Sequence, residues 1–260
     1  MFYYLLYFIV IIIAVFFGAM AGLGGGVIIK PVLDAIGHHP LFMINFFSSV
    51  AVFVMSITSI TKQVKSGFKI QWKESLALAV GCILGGIISN QFFDYLLRLL
   101  PSEDGVKLIQ IAITILILGV AVLYSTFSRA SLHIKGGVPM FIMGGVLAFL
   151  SVLLGIGGGP INVAAFLFFF GMSMKQAAVY SIITIFFAQA AKLVTIAVTS
   201  GFGSFELTYL IPVILAAIMG SYLGSVVNTR ITDQSVRRVY IVVTILIIGL
   251  NIYNGMMLLG

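Results

Sequence analysis

The chain has 260 residues, of which 61% are hydrophobic and 8% are charged. Because a soluble globular domain usually carries about 25% charged residues, this composition excludes a soluble protein and indicates an integral membrane protein. The formal net charge of +7 would favour a nucleic-acid partner in a soluble chain. Here the basic residues lie in short loops between apolar runs, where they orient membrane segments, so we expect a lipid bilayer and no nucleic acid as partner. The single cysteine, Cys82, excludes an internal disulfide.

Eight apolar runs approach the roughly 20 residues that a membrane-spanning helix requires. The first run lacks a basic N-terminal region and a small-residue cleavage site, so we expect a retained membrane segment and not a signal peptide. Two shorter apolar pieces, at 27–37 and 160–171, have about half the length of a spanning helix. The pattern predicts an all-α polytopic membrane protein. The eight longer runs lie near residues 3–21, 41–61, 75–92, 106–127, 138–154, 177–199, 207–227 and 239–259.

Each short piece follows a glycine-rich stretch, GLGGG at 22–26 and GIGGG at 155–159, and these stretches are 133 positions apart. Because each glycine costs roughly 1 kcal/mol in a helix interior, both stretches are predicted to break helices. ITILILG at 113–119 also matches VTILIIG at 243–249. The order of these matches predicts an internal duplication within one membrane domain. Its parts are a first repeat at 1–127, a connecting loop at 128–137 and a second repeat at 138–260, each repeat with about four long helices and one half-helix.

The basic loop residues predict how the two repeats are oriented. If the stretches 1–40 and 138–175 each return to the side on which they began, the repeats are inverted and the basic loop residues divide ten against two. Parallel repeats would divide them six against six, which violates the positive-inside rule. We therefore predict inverted repeats with both termini outside, the breaks being either tips of re-entrant hairpins or kinks between two crossings. The ten predicted cytoplasmic residues are Lys62, Lys65, Lys69, Lys73, Arg129, Lys135, Lys175, Arg230, Arg237 and Arg238, and the two outside are Arg98 and Lys107.

Inverted repeats with discontinuous helices are typical of secondary transporters. A helix that begins inside the membrane directs unpaired N–H groups and the positive end of its dipole into the protein, where an anion can bind them. Glycines let a ligand approach this backbone, and Pro160 suits the first turn of the second short helix. We therefore predict that the two breaks face one another and form one site for a small anion. The predicted backbone contacts are Gly24, Gly25, Gly26, Gly157, Gly158 and Gly159.

Few polar side chains accompany the breaks. Lys192 lies in the middle of an apolar run without an acidic residue, so an anionic substrate is a natural partner, the alternative being that its amine snorkels to an interface. Lys30 and Asp34, four positions apart, would either pair with each other or act in coupling or gating, and His38 is a further candidate for coupling. The predicted side-chain contacts to the substrate are Asn45, Asn162, Gln189 and Lys192.

Enzyme signatures are absent from the sequence. It contains no HExxH, GxSxG or P-loop pattern, so we expect no enzymatic activity, no metal and no cofactor. Two alternatives to a transporter stay open, a passive anion channel and a membrane subunit that acts with a soluble partner. Very short loops argue against the second.

The segments AGLGGGVIIKPVLDAIG and LLGIGGGPINVAAFLFFFGMSMKQAAVYSIITI resemble the duplicated signature of the TauE/SafE sulfite exporter family, also called the 4-toluene sulfonate uptake permease family. The resemblance extends over nearly the whole chain. It implies a multi-pass transporter of a bacterial-type plasma membrane, usually an exporter, for small sulfur-containing anions such as sulfite or organosulfonates. With this resemblance, the subunit alternative becomes a membrane subunit of a complex that handles sulfur metabolites. In the second repeat Ala164 replaces the counterpart of Pro31, so the two half-sites are expected to be chemically unequal.

Overall fold

The computed structural model describes residues 2–99, 103–127, 130–155, 157–199 and 201–259. Two residues named above, Arg129 and the Ile156 of the second break, lie outside this set. The described residues form ten α-helices and one short 3-10 helix at Leu207–Tyr209. The α-helices are α1 (Phe2–Ala21), α2 (Gly26–Ile36), α3 (Leu41–Lys65), α4 (Trp72–Leu99), α5 (Glu103–Phe127), α6 (Gly137–Leu153), α7 (Gly159–Phe170), α8 (Met174–Thr199), α9 (Leu210–Arg230) and α10 (Asp233–Leu259).

The helices coincide with the predicted apolar runs, and the predicted all-α membrane fold is confirmed. Within the described ranges, seven helices are long and apolar enough to cross a membrane, namely α1, α3, α4, α5, α8, α9 and α10. The remaining predicted run, at 138–154, forms α6, which has 17 residues and a length of about 26 Å. The two half-helices are α2 with 11 residues and α7 with 12.

Helices α1 and α2 form an antiparallel hairpin with the first break at its tip. The Leu23 N–H donates to the Gly18 carbonyl over 2.9 Å, and Gly25 lies against the backbone of Gly18, so the chain reverses direction here. At the open end, His38 follows α2 and stacks on Tyr3 near the start of α1, with ring centroids 3.6 Å apart. The hairpin therefore begins and ends at the same end of the bundle.

Helices α6 and α7 form a second hairpin of the same kind. The N–H groups of Leu132 and Ile134, which precede α6, donate to the carbonyls of Phe168 and Phe169 at the end of α7, each over 2.8 Å. At both glycine breaks the chain thus reverses direction, and each break is the tip of a helical hairpin.

The closest helix pairs join the two predicted repeats. Helix α4 of the predicted first repeat packs along α6 of the predicted second repeat, and α9 packs along α1. In both pairs, two glycines four residues apart press against backbone carbonyls of the hairpin helix, an approach that small residues permit. The contacts are Gly81 with Phe141, Gly85 with Gly145, Gly220 with Ile12 and Gly224 with Phe16.

Candidate functional site

The two hairpin tips meet in the interior of the bundle. A Cβ on Gly159 would collide with the Leu23 carbonyl, and a Cβ on Gly157 would lie 4.0 Å from the Gly26 Cα. The Ser181 hydroxyl on α8 donates to the Gly22 carbonyl over 2.6 Å and lies 3.4 Å from the Gly159 carbonyl oxygen. One side chain thus joins both breaks, and the breaks face one another as the sequence predicts.

The contact at Gly159 leads to a stability prediction. We expect Gly159→Ala to lower the free energy of unfolding by at least about 3 kcal/mol, because its Cβ would meet backbone atoms of Leu23, which give way less easily than a side chain. The matched control is Gly119→Ala in α5, where a Cβ would find no atom within 4 Å and where alanine is expected to stabilise by about 0.5–1 kcal/mol. Thermal unfolding in detergent measures both. Equal melting temperatures for the two variants would contradict this packing.

The contacts around the first break recur around the second at positions 133 residues later. The two tips therefore rest on corresponding positions of α3 and α8. Their side chains differ in one important place, where the first tip meets an alanine and the second meets an asparagine. The corresponding contacts are Gly22 with Ala178 and Gly155 with Asn45, and Gly24 with Ile185 and Gly157 with Val52.

The second break exposes backbone donors. Gly157 and Gly158 both have φ of +72°, a left-handed conformation that side chains strain, which explains two consecutive glycines at the N-terminus of α7. Among the described residues, no acceptor receives the N–H groups of Gly157, Gly158 and Gly159. Consecutive unpaired N–H groups at a helix N-terminus attract an anion.

The first break exposes fewer donors. The Gly25 N–H donates to the Met55 sulfur over 3.4 Å, while within the described chain the N–H groups of Gly24 and Gly26 have no acceptor. The predicted backbone contacts are therefore better supported at the second break than at the first.

Asn162 has the most unusual environment of the predicted contact residues. It is 0% exposed, and neither its Oδ1 nor its Nδ2 has a hydrogen-bond partner among the described residues, although leaving such a group unpaired costs about 1–3 kcal/mol. It lies in the first turn of α7, with Oδ1 3.1 Å from the position of a Cβ on Gly158. Asn45 Oδ1 and Gln189 Oε1 are buried and unpaired as well. Three of the four predicted side-chain contacts thus retain free hydrogen-bonding capacity.

Lys192, the fourth predicted side-chain contact, is 7% exposed. This burial does not fit an amine that snorkels to an interface. Among the described residues its ammonium has neither a hydrogen bond nor an ion pair. A buried cation with no internal counterion is costly unless an anion binds it.

A model of the family described as "Sulfite exporter TauE/SafE" matches residues 7–252, nearly the whole chain. The chain belongs to the sulfite exporter TauE/SafE family. TauE/SafE proteins are membrane transporters, so the protein is a multi-pass membrane protein, consistent with a plasma membrane. Searches of curated proteins and of solved structures gave no match.

Lys30 in this TauE/SafE protein does not pair with Asp34 as the spacing of four suggested. No ion pair joins these two side chains in the described structure. The Lys30 ammonium donates instead to Gln110 Oε1 over 2.6 Å and to the Leu154 carbonyl over 3.0 Å. Lys30 thus ties α2 to the end of α6, directly before the second break.

His38 lies away from the breaks, at the open end of the first hairpin. Its Nε2 is 3.3 Å from the Tyr209 hydroxyl. The neighbouring His39 is buried; its Nδ1 lies 2.6 Å from the Tyr7 hydroxyl and its Nε2 3.7 Å from a Glu206 carboxylate oxygen. Both histidines fasten the hairpin ends, and neither contacts the glycine tips.

We expect the apparent melting temperature to fall as the pH decreases below about 6.5, through His39. Burial lowers the pKa of His39 below its ordinary value despite the opposing attraction of Glu206. The unfolded chain then binds a proton that the folded protein does not, so stability present above pH about 6.5 is lost at lower pH. His39→Gln should weaken this dependence, whereas His133→Gln, at an exposed position, should retain it. Melting curves that change equally with pH in both variants would refute the assignment.

The sequence missed several polar residues beside Lys30. Gln110 Nε2 donates to the Leu153 carbonyl over 2.6 Å, and Asn254 Nδ2 donates to the Pro31 carbonyl over 2.9 Å. Both are polar residues in apolar runs, and polar residues in membrane segments are candidates for functional contacts.

Proposed function

We propose that this protein is a secondary transporter that exports small sulfur-containing anions, sulfite or organosulfonates, by alternating access around the paired breaks. The observation that carries the proposal is Asn162, fully buried with both amide atoms unpaired, beside the free N–H groups of the second break. A sulfur oxyanion presents several acceptor oxygens, which match N–H donors and a lysine. Gln189, Asn45 and Lys192 would complete the binding site.

The two hairpins support an inverted arrangement. Each hairpin returns to the end where it began, and α3, α4 and α5 supply three crossings between them, so the second hairpin enters from the opposite side. This topology agrees with the ten-to-two division of basic residues. Corresponding parts on opposite sides of one site are what alternating access requires.

The membrane potential favours the proposed direction. An inside-negative potential expels an anion with about 2.3 kcal/mol per charge for each 100 mV. Export of an anion therefore needs no ATP-binding motif in the chain.

Counterflow in proteoliposomes tests the proposal. Labelled sulfite outside the vesicles should enter faster when unlabelled sulfite is inside, and an organosulfonate such as toluene sulfonate should compete while acetate and potassium do not. Flux that does not respond to internal sulfite would favour the channel alternative.

Stabilisation of the purified protein offers an independent check, because a ligand at 100 times its Kd raises the free energy of unfolding by about 2.7 kcal/mol. Stabilisation by carboxylates or cations alone would refute the anion assignment.

A further inference from the structure

Two cavities lie at opposite ends of the helix pair α5 and α10. The first, of about 180 Å³, is lined by the start of α5, the end of α10 and α2. The second, of about 390 Å³, is lined by the end of α5, the start of α10 and the end of α7. Lys107 lines the first cavity and Tyr124 the second, and their separation of 17 residues along α5 corresponds to about 26 Å.

The two cavities carry corresponding residues of the two repeats. In α5 and α10 the matching positions are 130 residues apart, as the alignment of ITILILG with VTILIIG shows. By this correspondence Lys107 in the first cavity matches Arg237 in the second. Each is the fifth residue of its helix. We call the two spaces the Lys107 cavity and the Arg237 cavity.

The described lining of each cavity has a net positive charge. Lys30, Lys107 and Asp34 line the Lys107 cavity and leave it with one net positive charge. Arg237 is the charged residue among the described lining of the other cavity. A net positive charge concentrates the opposite ion, so both cavities favour small anions. The Lys107 ammonium also lies 3.4 Å from a carboxylate oxygen of Asp104, outside this lining.

The two helices that line both cavities, α5 and α10, contact the second break on its two sides. Gln110, three residues after Lys107, donates to the Leu153 carbonyl just before this break over 2.6 Å. Tyr240, three residues after Arg237, donates to the Pro160 carbonyl just after it over 2.8 Å. The second break, with its free N–H groups, therefore lies between the two cavities.

We propose that the two cavities are anion vestibules on opposite faces of the membrane, and that Lys107 and Arg237 are the residues that capture the anion in them. The distribution of basic residues places the Lys107 cavity outside and the Arg237 cavity in the cytoplasm. This inference rests on the proposed transport of small anions. It assigns binding residues that lie outside the site between the hairpin tips.

Transport measured separately from each face of the membrane tests the roles of Lys107 and Arg237. Lys107→Gln should raise the KM for an anion supplied outside by about fivefold and leave the KM on the cytoplasmic face unchanged, and Arg237→Gln should do the reverse. Uptake by intact cells and by inverted vesicles gives the two values. The matched controls are the exposed neighbours Arg98→Gln and Arg238→Gln, for which we expect neither change. Because screening weakens these fields, the effect should vanish near 1 M salt. Equal changes on both faces, or changes no larger than in the controls, would overturn the assignment.

Cysteine labelling tests the vestibules without requiring transport. In a Cys82→Ser background, Thr114→Cys and Ser131→Cys place a thiol in the Lys107 and Arg237 cavities, respectively. An impermeant sulfonate-bearing methanethiosulfonate should label Thr114→Cys from outside only and Ser131→Cys from the cytoplasm only, each faster than a cationic reagent. Adding Lys107→Gln or Arg237→Gln should remove this preference. Labelling without charge preference would overturn the vestibule assignment, whereas normal labelling of a protein without sulfite exchange would overturn the transport function.

Discussion

Asn162→Leu protein is expected to be more stable than the wild type and to lose anion transport. Asn162 is 0% exposed and both its amide atoms are unpaired, so an apolar side chain of similar size removes a cost of about 1–2 kcal/mol. Transport should fall on the order of 100-fold, because a site built to donate to a bound oxyanion loses its side-chain donor. Thermal unfolding without ligand and sulfite counterflow measure the two effects.

Asn228→Leu is the matched control. Asn228 is 2% exposed, but its Nδ2 donates to the Met20 carbonyl over 2.6 Å and its Oδ1 accepts from Gln63 over 2.9 Å. The same substitution there leaves two partners unpaired and should destabilise the protein by about 2 kcal/mol. If Asn162→Leu were destabilised to the same degree, or transported at the wild-type rate, Asn162 would be a structural residue.

Lys192→Met is expected to abolish transport, with a loss on the order of 100-fold, while preserving or raising stability. Lys192 is buried without an ion pair or hydrogen bond among the described residues, and replacing a buried charge by an apolar group is often neutral or stabilises by about 1–4 kcal/mol. Methionine keeps the length and flexibility of lysine, so the change isolates the charge. The rate of sulfite counterflow and the melting temperature are the two measurements.

Lys30→Met provides the comparison for Lys192. Lys30 is equally buried, but its ammonium is bonded to Gln110 and to the Leu154 carbonyl. Its replacement should therefore lower the free energy of unfolding by about 1–3 kcal/mol per group left unpaired. A Lys192→Met protein that transports sulfite normally would remove Lys192 from the site. A loss of stability equal to that of Lys30→Met would show that Lys192 has an internal partner.

The helices and the breaks were predictable because the forces that define them are local. A run of apolar residues meets the length requirement of the membrane by itself, and a run of glycines weakens a helix at its own position. The predicted pieces 27–37 and 160–171 accordingly differ from α2 and α7 by one residue at each end. Lys192 and Asn162 were likewise identifiable, since a polar residue in an apolar run is conspicuous whatever its partners are.

The partners of these residues required the tertiary structure. Spacing alone suggested a bond between Lys30 and Asp34, yet the ammonium bonds to the carbonyl of Leu154, which is 124 positions away. Nothing in the local sequence distinguishes these outcomes, because the choice depends on which groups of other helices the fold brings to the Lys30 ammonium. The same holds for Gln110, whose importance follows from the carbonyl that it meets.

The sequence by itself determined that this protein spans a membrane and that glycine breaks interrupt it, and it predicts a duplication, because composition, helix propensity and repetition are written along the chain. Only the tertiary structure decided that both breaks are hairpin tips that meet, that Asn162 and Lys192 are buried without partners among the described residues, and that α5 and α10 enclose a cavity at each end. These features depend on contacts between segments more than a hundred residues apart, which the folding of the chain creates.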